Sequence, residues 1–283
     1  MFASRMSAMD SALRRVRLVV AYDGGAYHGF ARNPIVPTVA NTLERVLSLI
    51  CRLPVEVVGA GRTDAGVHAW GQVVSADVPA DLDLVDVQRR INKMCGPTLV
   101  VRTAEWAPTE DFHARFDAIW RHYRYTILNS PTPNPFLAAT TWHVRHSLDL
   151  RLMELATDPF VGEHDFSSFC RKPREQDGRK PRSAVRRLLL AEWSDLGDGL
   201  LRFDIRANAF CHQQVRAIIG TLVEVGLGKR KAGEMTALLR ARDRRTAGQV
   251  APAVGLCLWE VGYPELGTPG PRRRPKAERE KPA

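Results

Sequence analysis

The chain has 283 residues, 45% of them apolar and 25% charged, enough for a full core in one large domain or two modest ones. No window approaches the ~20 apolar residues of a membrane-spanning helix, and the first residues lack the apolar segment of a secretory signal, so the expected protein is cytoplasmic, with no membrane partner. A formal net charge of +10 points to a polyanionic partner, nucleic acid above all; the tail after Pro264 holds six Lys or Arg against three Asp or Glu, so most of the excess lies on the body.

Residues 16–23, VRLVVAYD, alternate and are β-branched, which predicts a strand. Thr38 is placed to cap a helix whose apolar side chains Val39, Leu43, Val46, Leu47 and Ile50 recur at helical spacing. A short strand at 54–59 leads into the glycine-rich stretch GAGRTDAGVHAWGQ, residues 59–72, and a strand follows at 71–78. Asp83 caps a second helix with Leu84, Val87, Ile91 and Met94 on one face, and residues 99–106 close as a strand. This β-α-β-β-α-β order is the ferredoxin-like split unit.

The second part of the chain repeats the theme. A strand is expected at 121–128, a helix from 148 running into a turn by 162, and a strand pair at 184–193 and 200–208. A strongly apolar helix at 210–226, a further helix at 232–243 and a last strand at 255–263 complete it. The expected fold is therefore α+β, two halves at 14–108 and 109–264, each with its own antiparallel sheet. Residues 265–283 are Pro, Gly and charge and read as a disordered basic tail. Residues 171–182, RKPREQDGRKPR, have no periodicity; Arg171, Lys172, Arg179 and Lys180 make them a candidate strap for RNA phosphates, with a merely solvated loop as the alternative.

The glycine-rich stretch carries the chemistry. Glycines let the backbone turn tightly and a ligand approach closely. Within the bend, Arg62 and Asp64 are two residues apart, and in an extended segment they point to the same side. A cation beside a carboxylate keeps it ionised, and an ionised, positioned carboxylate serves as nucleophile or base. A structural ion pair capping a turn is the alternative. The stretch ends in Asp and is followed by a strand, so it is not a dinucleotide fingerprint, and no phosphate loop of the GxxxxGK[ST] type occurs.

Residues 112–125, FHARFDAIWRHYRY, interleave aromatics that can stack bases with cations that can hold phosphates. Arg216 interrupts an apolar helix and needs a partner there; Asp64 is the candidate, with a snorkelling exit to solvent as the alternative. The five cysteines are odd in number, widely spaced and free of CxxC, which predicts free thiols. Cys211 with His212, or His143 with His146, lacks a second ligand pair, so no metal is expected.

Taken together, these residues resemble the tRNA pseudouridine synthase A family. GRTDAGVHA at 61–69 matches its active-site motif. YDG at 22–24, FHARF at 112–116, YRY at 123–125, GEHDFSSF at 162–169, ANAFCHQQVRAIIG at 207–220 and GLCLWEVGYP at 255–264 extend the likeness over nearly all of residues 15–264. The resemblance implies two ferredoxin-like halves flanking a basic active-site cleft, a homodimer, no cofactor, and isomerisation of uridines 38, 39 and 40 in the anticodon arm of tRNA. It implies that Asp64 is the catalytic aspartate, that Tyr123 stacks on the target uracil, that Arg62 intrudes where the nucleotide is flipped, and that Arg216 pairs with Asp64. This chain departs from the family pattern at Phe30, Ala31, Ala40 and Gln213. Those departures leave two alternatives beside the main expectation: the same reaction on another RNA or uridine subset, and a tRNA-binding protein without turnover.

Overall fold

The computed structural model describes residues 12–171 and 183–264. The predicted tail, and Lys172, Arg179 and Lys180 of the basic loop, lie outside the described residues. The first six elements follow the expected order: β1 (Leu13–Tyr22), α1 (Val39–Cys51), β2 (Val57–Gly59), β3 (His68–Pro79), α2 (Leu84–Cys95) and β4 (Leu99–Trp106). The Thr38 hydroxyl accepts from Asn41 N–H and the Asp83 carboxylate from Val85 N–H, so both helices start where short polar side chains satisfy otherwise orphaned N–H groups. Val39, Leu43, Val46, Leu47 and Ile50 of α1 are all buried, as their spacing requires.

Next come β5 (Trp120–Asn129), β6 (Trp142–Val144), α3 (Leu150–Thr157), β7 (Gly162–Asp165), β8 (Val185–Asp195), β9 (Leu200–Ala207), α4 (Gln214–Gly226), α5 (Met235–Ala241) and β10 (Leu256–Gly262). The α3 helix is shorter than its apolar pattern suggested, because Pro159 turns the chain into a single tight turn at Asp158–Phe160. The short strands β6 and β7 were not anticipated; three or four residues show too little alternation to be read from sequence. The strand after the glycine bend starts at His68, inside the motif, rather than at 71.

The fold is α+β, with a large, mostly antiparallel sheet. The two expected sheets are in fact one: ten strands in the order β4-β1-β3-β10-β5-β9-β8-β7, with β2 on β3 and β6 on β5. The join is β10. It runs antiparallel to β5, with Leu258 opposite Tyr123, and parallel to β3, with Leu258 opposite Ala69. Edge pairing of this kind satisfies backbone groups that two separate sheets would leave open. The expectation of five free thiols is also corrected. Cys170 and Cys211 are disulfide-bonded, whereas Cys51, Cys95 and Cys257 are free. Wide spacing in sequence says nothing of a pair that folding brings together.

Candidate active site

Asp64 lies on the loop between β2 and β3, and neighbouring side chains give that loop its shape. Ala60 N–H donates to Val73 carbonyl at 2.8 Å. The buried Gln72 amide donates to Gly61 carbonyl at 2.7 Å and accepts from Gly61 N–H at 3.3 Å. Thr63, buried, shares a 2.8 Å hydrogen bond with the Tyr22 hydroxyl, and its carbonyl accepts from Phe30 N–H at 3.1 Å. Gly24 allows the closest approach: a Cβ there would stand 2.2 Å from the Val67 carbonyl oxygen. His68 then ties both sides of the loop. Its Nδ1 lies 3.1 Å from Gly24 N and 3.2 Å from Asp23 Oδ1, and its Nε2 3.1 Å from the Val254 carbonyl.

Arg216 reaches this loop from the first turns of α4. Its Nε donates to Ala251 carbonyl at 2.7 Å, and its own carbonyl accepts from Ala251 N–H at 3.0 Å. The segment around Ala251 lies so close because Gly220 has no side chain; a Cβ there would be 1.8 Å from the Gln249 carbonyl. So anchored, the guanidinium presents Nη1 at 3.2 Å from Asp64 Oδ2. The other carboxylate oxygen, Oδ1, faces His212 Nε2 at 3.4 Å. The Asp64 side chain is 29% exposed and that of Arg216 15%, so the pair is open to solvent rather than sealed in the core.

Tyr123 comes from β5. Its ring is buried, meets Phe210 edge-on with centroids 5.2 Å apart, and turns its hydroxyl toward the bend; a Cβ on Gly61 would be 3.7 Å from that oxygen. Burial pushes the hydroxyl well above the usual phenol range, aided by Tyr22, opposed by Arg121, and aided again by Asp64. It is therefore a neutral O–H at neutral pH. Tyr125, on the same face of the strand, is fully buried and donates to Pro252 carbonyl at 2.9 Å, so it supports the 249–254 segment.

The structure joins Asp64, Arg216 and Tyr123 and separates Arg62 from them. The cation facing the carboxylate is Arg216. Arg62 is exposed and makes no hydrogen bond or ion pair among the described residues, so the expected Arg62–Asp64 neighbourhood is corrected. The turn itself begins at Asp64, whose carbonyl accepts from Val67 N–H at 3.1 Å, and Arg62 lies before it.

The reading of residues 112–125 as base-stacking aromatics and phosphate-holding cations is also narrowed. Arg121 is buried and donates to the carbonyls of Ala60, Arg115, Ala118 and Asn208, stapling the start of the catalytic loop to two other segments. Its inward parity with Tyr123 and Tyr125 on a buried strand was the available signal. Arg124 lies over the Trp259 ring at 3.8 Å and pairs with Asp204. Phe112 is buried; Phe116, 62% exposed, stacks on His113 with centroids 4.3 Å apart and is the ring of this stretch left to solvent.

The basic loop begins beside the site: the exposed Arg171 donates its backbone N–H to the His212 carbonyl at 3.0 Å. The departures from the family pattern form part of the floor. Phe30 is buried against Gly59 and Tyr22, and Ala40 N–H donates to its carbonyl at 3.0 Å. Gln213 takes a left-handed conformation, φ 64°, at the start of α4.

The sequence model of the family described as tRNA pseudouridine synthase matches residues 18–117 and 156–264 of this chain. A protein of Brevibacillus brevis named tRNA pseudouridine synthase A is 39% identical over 251 residues, covering 89% of this chain and 100% of its own. A namesake from Beijerinckia indica is 41% identical over 255 residues, covering 89% of this chain and 95% of its own. One from Leifsonia xyli is 38% identical over 283 aligned residues, at 92% and 96%.

Proposed function

The chain belongs to the tRNA pseudouridine synthase family, and we propose that it isomerises uridine to pseudouridine at positions 38, 39 and 40 of the tRNA anticodon arm. The observation that carries this is the meeting of Asp64, Arg216 and Tyr123, which come from three separate elements, beside a solvent-open carboxylate. A protein that merely binds a polyanion gains nothing from a half-exposed carboxylate; one that breaks and remakes a glycosidic bond does.

In the isomerisation the N1–C1′ bond breaks and a C5–C1′ bond forms; C5 gives up a proton and N1 takes one, so no oxidant or reductant enters. The target base is taken out of its stack first. Asp64 is the group that engages the flipped nucleotide, at the ring or at the sugar. Arg216 holds one oxygen of that carboxylate, Oδ2. Tyr123 is the ring on which the uracil stacks and offers a neutral O–H donor beside the bend. Arg62, without a hydrogen bond or ion pair among the described residues, is available to fill the space the base vacates. Arg171 and the loop it begins hold phosphates.

In this reading the cleft lies between the half at 14–108, which carries Asp64, and the half at 109–264, which carries Tyr123 and Arg216. The protein works as a cytoplasmic homodimer with tRNA as its partner; no helix among the described residues is long and apolar enough to cross a membrane. The test is pseudouridine mapping of tRNA from cells lacking the protein, complemented with wild type or Asp64→Asn. Pseudouridine at 38–40 restored by wild type alone is the expected result. Restoration by Asp64→Asn removes Asp64 from the reaction, and a modified site elsewhere in RNA replaces the substrate. Light scattering of the purified protein checks the dimer.

A further inference from the structure

Arg216 engages one oxygen of Asp64, and the other faces a side chain with no role so far. His212 Nε2 stands 3.4 Å from Asp64 Oδ1, on a ring 52% exposed. Half of that ring meets solvent, so its place is set from the backbone, and the backbone there is held in several ways. Cys211, the preceding residue, is bonded to Cys170, 41 residues earlier. Arg171, the residue after Cys170, donates its N–H to the His212 carbonyl at 3.0 Å, so the covalent link and a hydrogen bond join the same two segments side by side. Cys211 N–H also donates to Oε1 of the buried Gln214 at 2.9 Å, and Gln213 completes the turn with φ 64°. Cys170 itself is buried in the core. The exposed imidazole that meets the carboxylate is thus mounted on a core-anchored cross-link.

We propose that His212 is a positioning residue for Asp64, and that the Cys170–Cys211 bond sets where His212 stands. The proposal rests on the reading of Asp64 as the reacting carboxylate. A carboxylate held through one oxygen keeps rotational freedom about its Cβ–Cγ bond, and a second contact on the other oxygen removes it. Reaction rate depends on such orientation to a fraction of an ångström. The cross-link matters because the 211–212 backbone has no strand or helix ladder of its own. A dithiol reductant cleaves the bond by giving two electrons and two protons, which leaves Cys170 and Cys211 as thiols and turns the reductant into its cyclic disulfide. His212 is then held by the Arg171 hydrogen bond and its own turn alone.

Single-turnover rates and equilibrium tRNA binding of the full chain test this with His212→Ala, His212→Gln, Cys170→Ser and the Cys170→Ser/His212→Ala double variant. His212→Ala is expected to lower the rate at saturating tRNA by about three- to tenfold while Kd stays within about twofold. His212→Gln, whose amide N–H can reach the same oxygen, recovers most of the rate. Cys170→Ser lowers the rate in the same direction by a smaller factor and adds nothing in the His212→Ala background. Dithiothreitol reproduces the Cys170→Ser effect on wild type and leaves Cys170→Ser itself unchanged. An unchanged His212→Ala rate overturns the proposal. So does a loss confined to Kd, which makes His212 an RNA contact, and so does an independent, multiplying Cys170→Ser effect. Asp64→Asn measured alongside separates the two levels: turnover by that variant sinks the reading of Asp64, whereas an inactive Asp64→Asn beside an unaffected His212→Ala sinks the positioning alone.

Discussion

Two aspartates in this protein each meet a histidine and an arginine, and they could hardly be used more differently. Asp204, on β9, is buried and accepts from His122 Nε2 at 2.7 Å, Arg124 Nε at 2.8 Å and Arg202 Nε at 2.6 Å. Burial raises its pKa, but the hydrogen bonds from those three donors outweigh burial and hold the carboxyl well below the usual range. Asp64 faces Arg216 and His212, both at longer range, and keeps 29% of its side chain open. A carboxylate saturated with short donors is a structural member; one with lone pairs to spare and open to solvent can react. Both patterns read as Asp beside Arg, so distance and exposure separate structure from chemistry.

The sharpest way to break this comparison is to neutralise each carboxylate. Asp64→Asn should cost about a thousandfold or more in single-turnover rate. Its melting temperature should move by no more than about 2 °C, because little stability rests on the open pair. Asp204→Asn should do the reverse: destabilise by about 1–3 kcal/mol in denaturant titration, since it takes the ionised acceptor from the buried His122 and the part-buried Arg124 and Arg202, with the rate per folded molecule retained. Equal losses of activity in both variants would erase the distinction.

Acid titration of stability tests the same contrast without mutation at the cleft. The folded pKa of Asp204 is depressed, so its contribution is present in full above the unfolded-state value of about 4 and is lost as pH falls below that toward the folded value. Wild type should therefore lose stability more steeply than Asp204→Asn below pH ~4. Identical slopes would mean that Asp204 is not the group responsible.

Around the open carboxylate, Tyr123→Ala should cost about 1–3 kcal/mol of base stacking in the enzyme–RNA complex, while Tyr123→Phe keeps the complex and any defect falls on the chemical step. Wild-type affinity for tRNA in the Ala variant would return Tyr123 to the core. The smallest effect is expected at Arg171. Arg171→Ala should reduce the slope of log affinity against log salt by about one and leave the saturated rate unchanged.

Much of the fold is legible in the sequence because its rules are local. Thr38 and Asp83 announce the starts of α1 and α2 through hydrogen bonds spanning two or three residues, and Leu43, Val46 and Leu47 announce a buried face through period alone. In the site, the bend at Asp64 is visible as glycine punctuation, and Arg216 stands out as a cation with no local reason to be in an apolar helix. Arg121 and His212 stayed hidden: the first looks like one more cation in a basic stretch, and the second reads only as a metal-ligand candidate beside Cys211.

By itself the sequence determined the longer elements and their order, the polyanion-seeking charge and the chemical character of the bend, since each follows from composition, hydrogen bonding and side-chain period within a few residues. The tertiary structure decided that the cation on Asp64 is Arg216, 152 residues away, rather than Arg62 two residues away. It decided that Cys170 meets Cys211 and that β10 merges two sheets into one. Those outcomes depend on which surfaces meet when the strands pair and the helices close over them, and no local period encodes a meeting between distant segments.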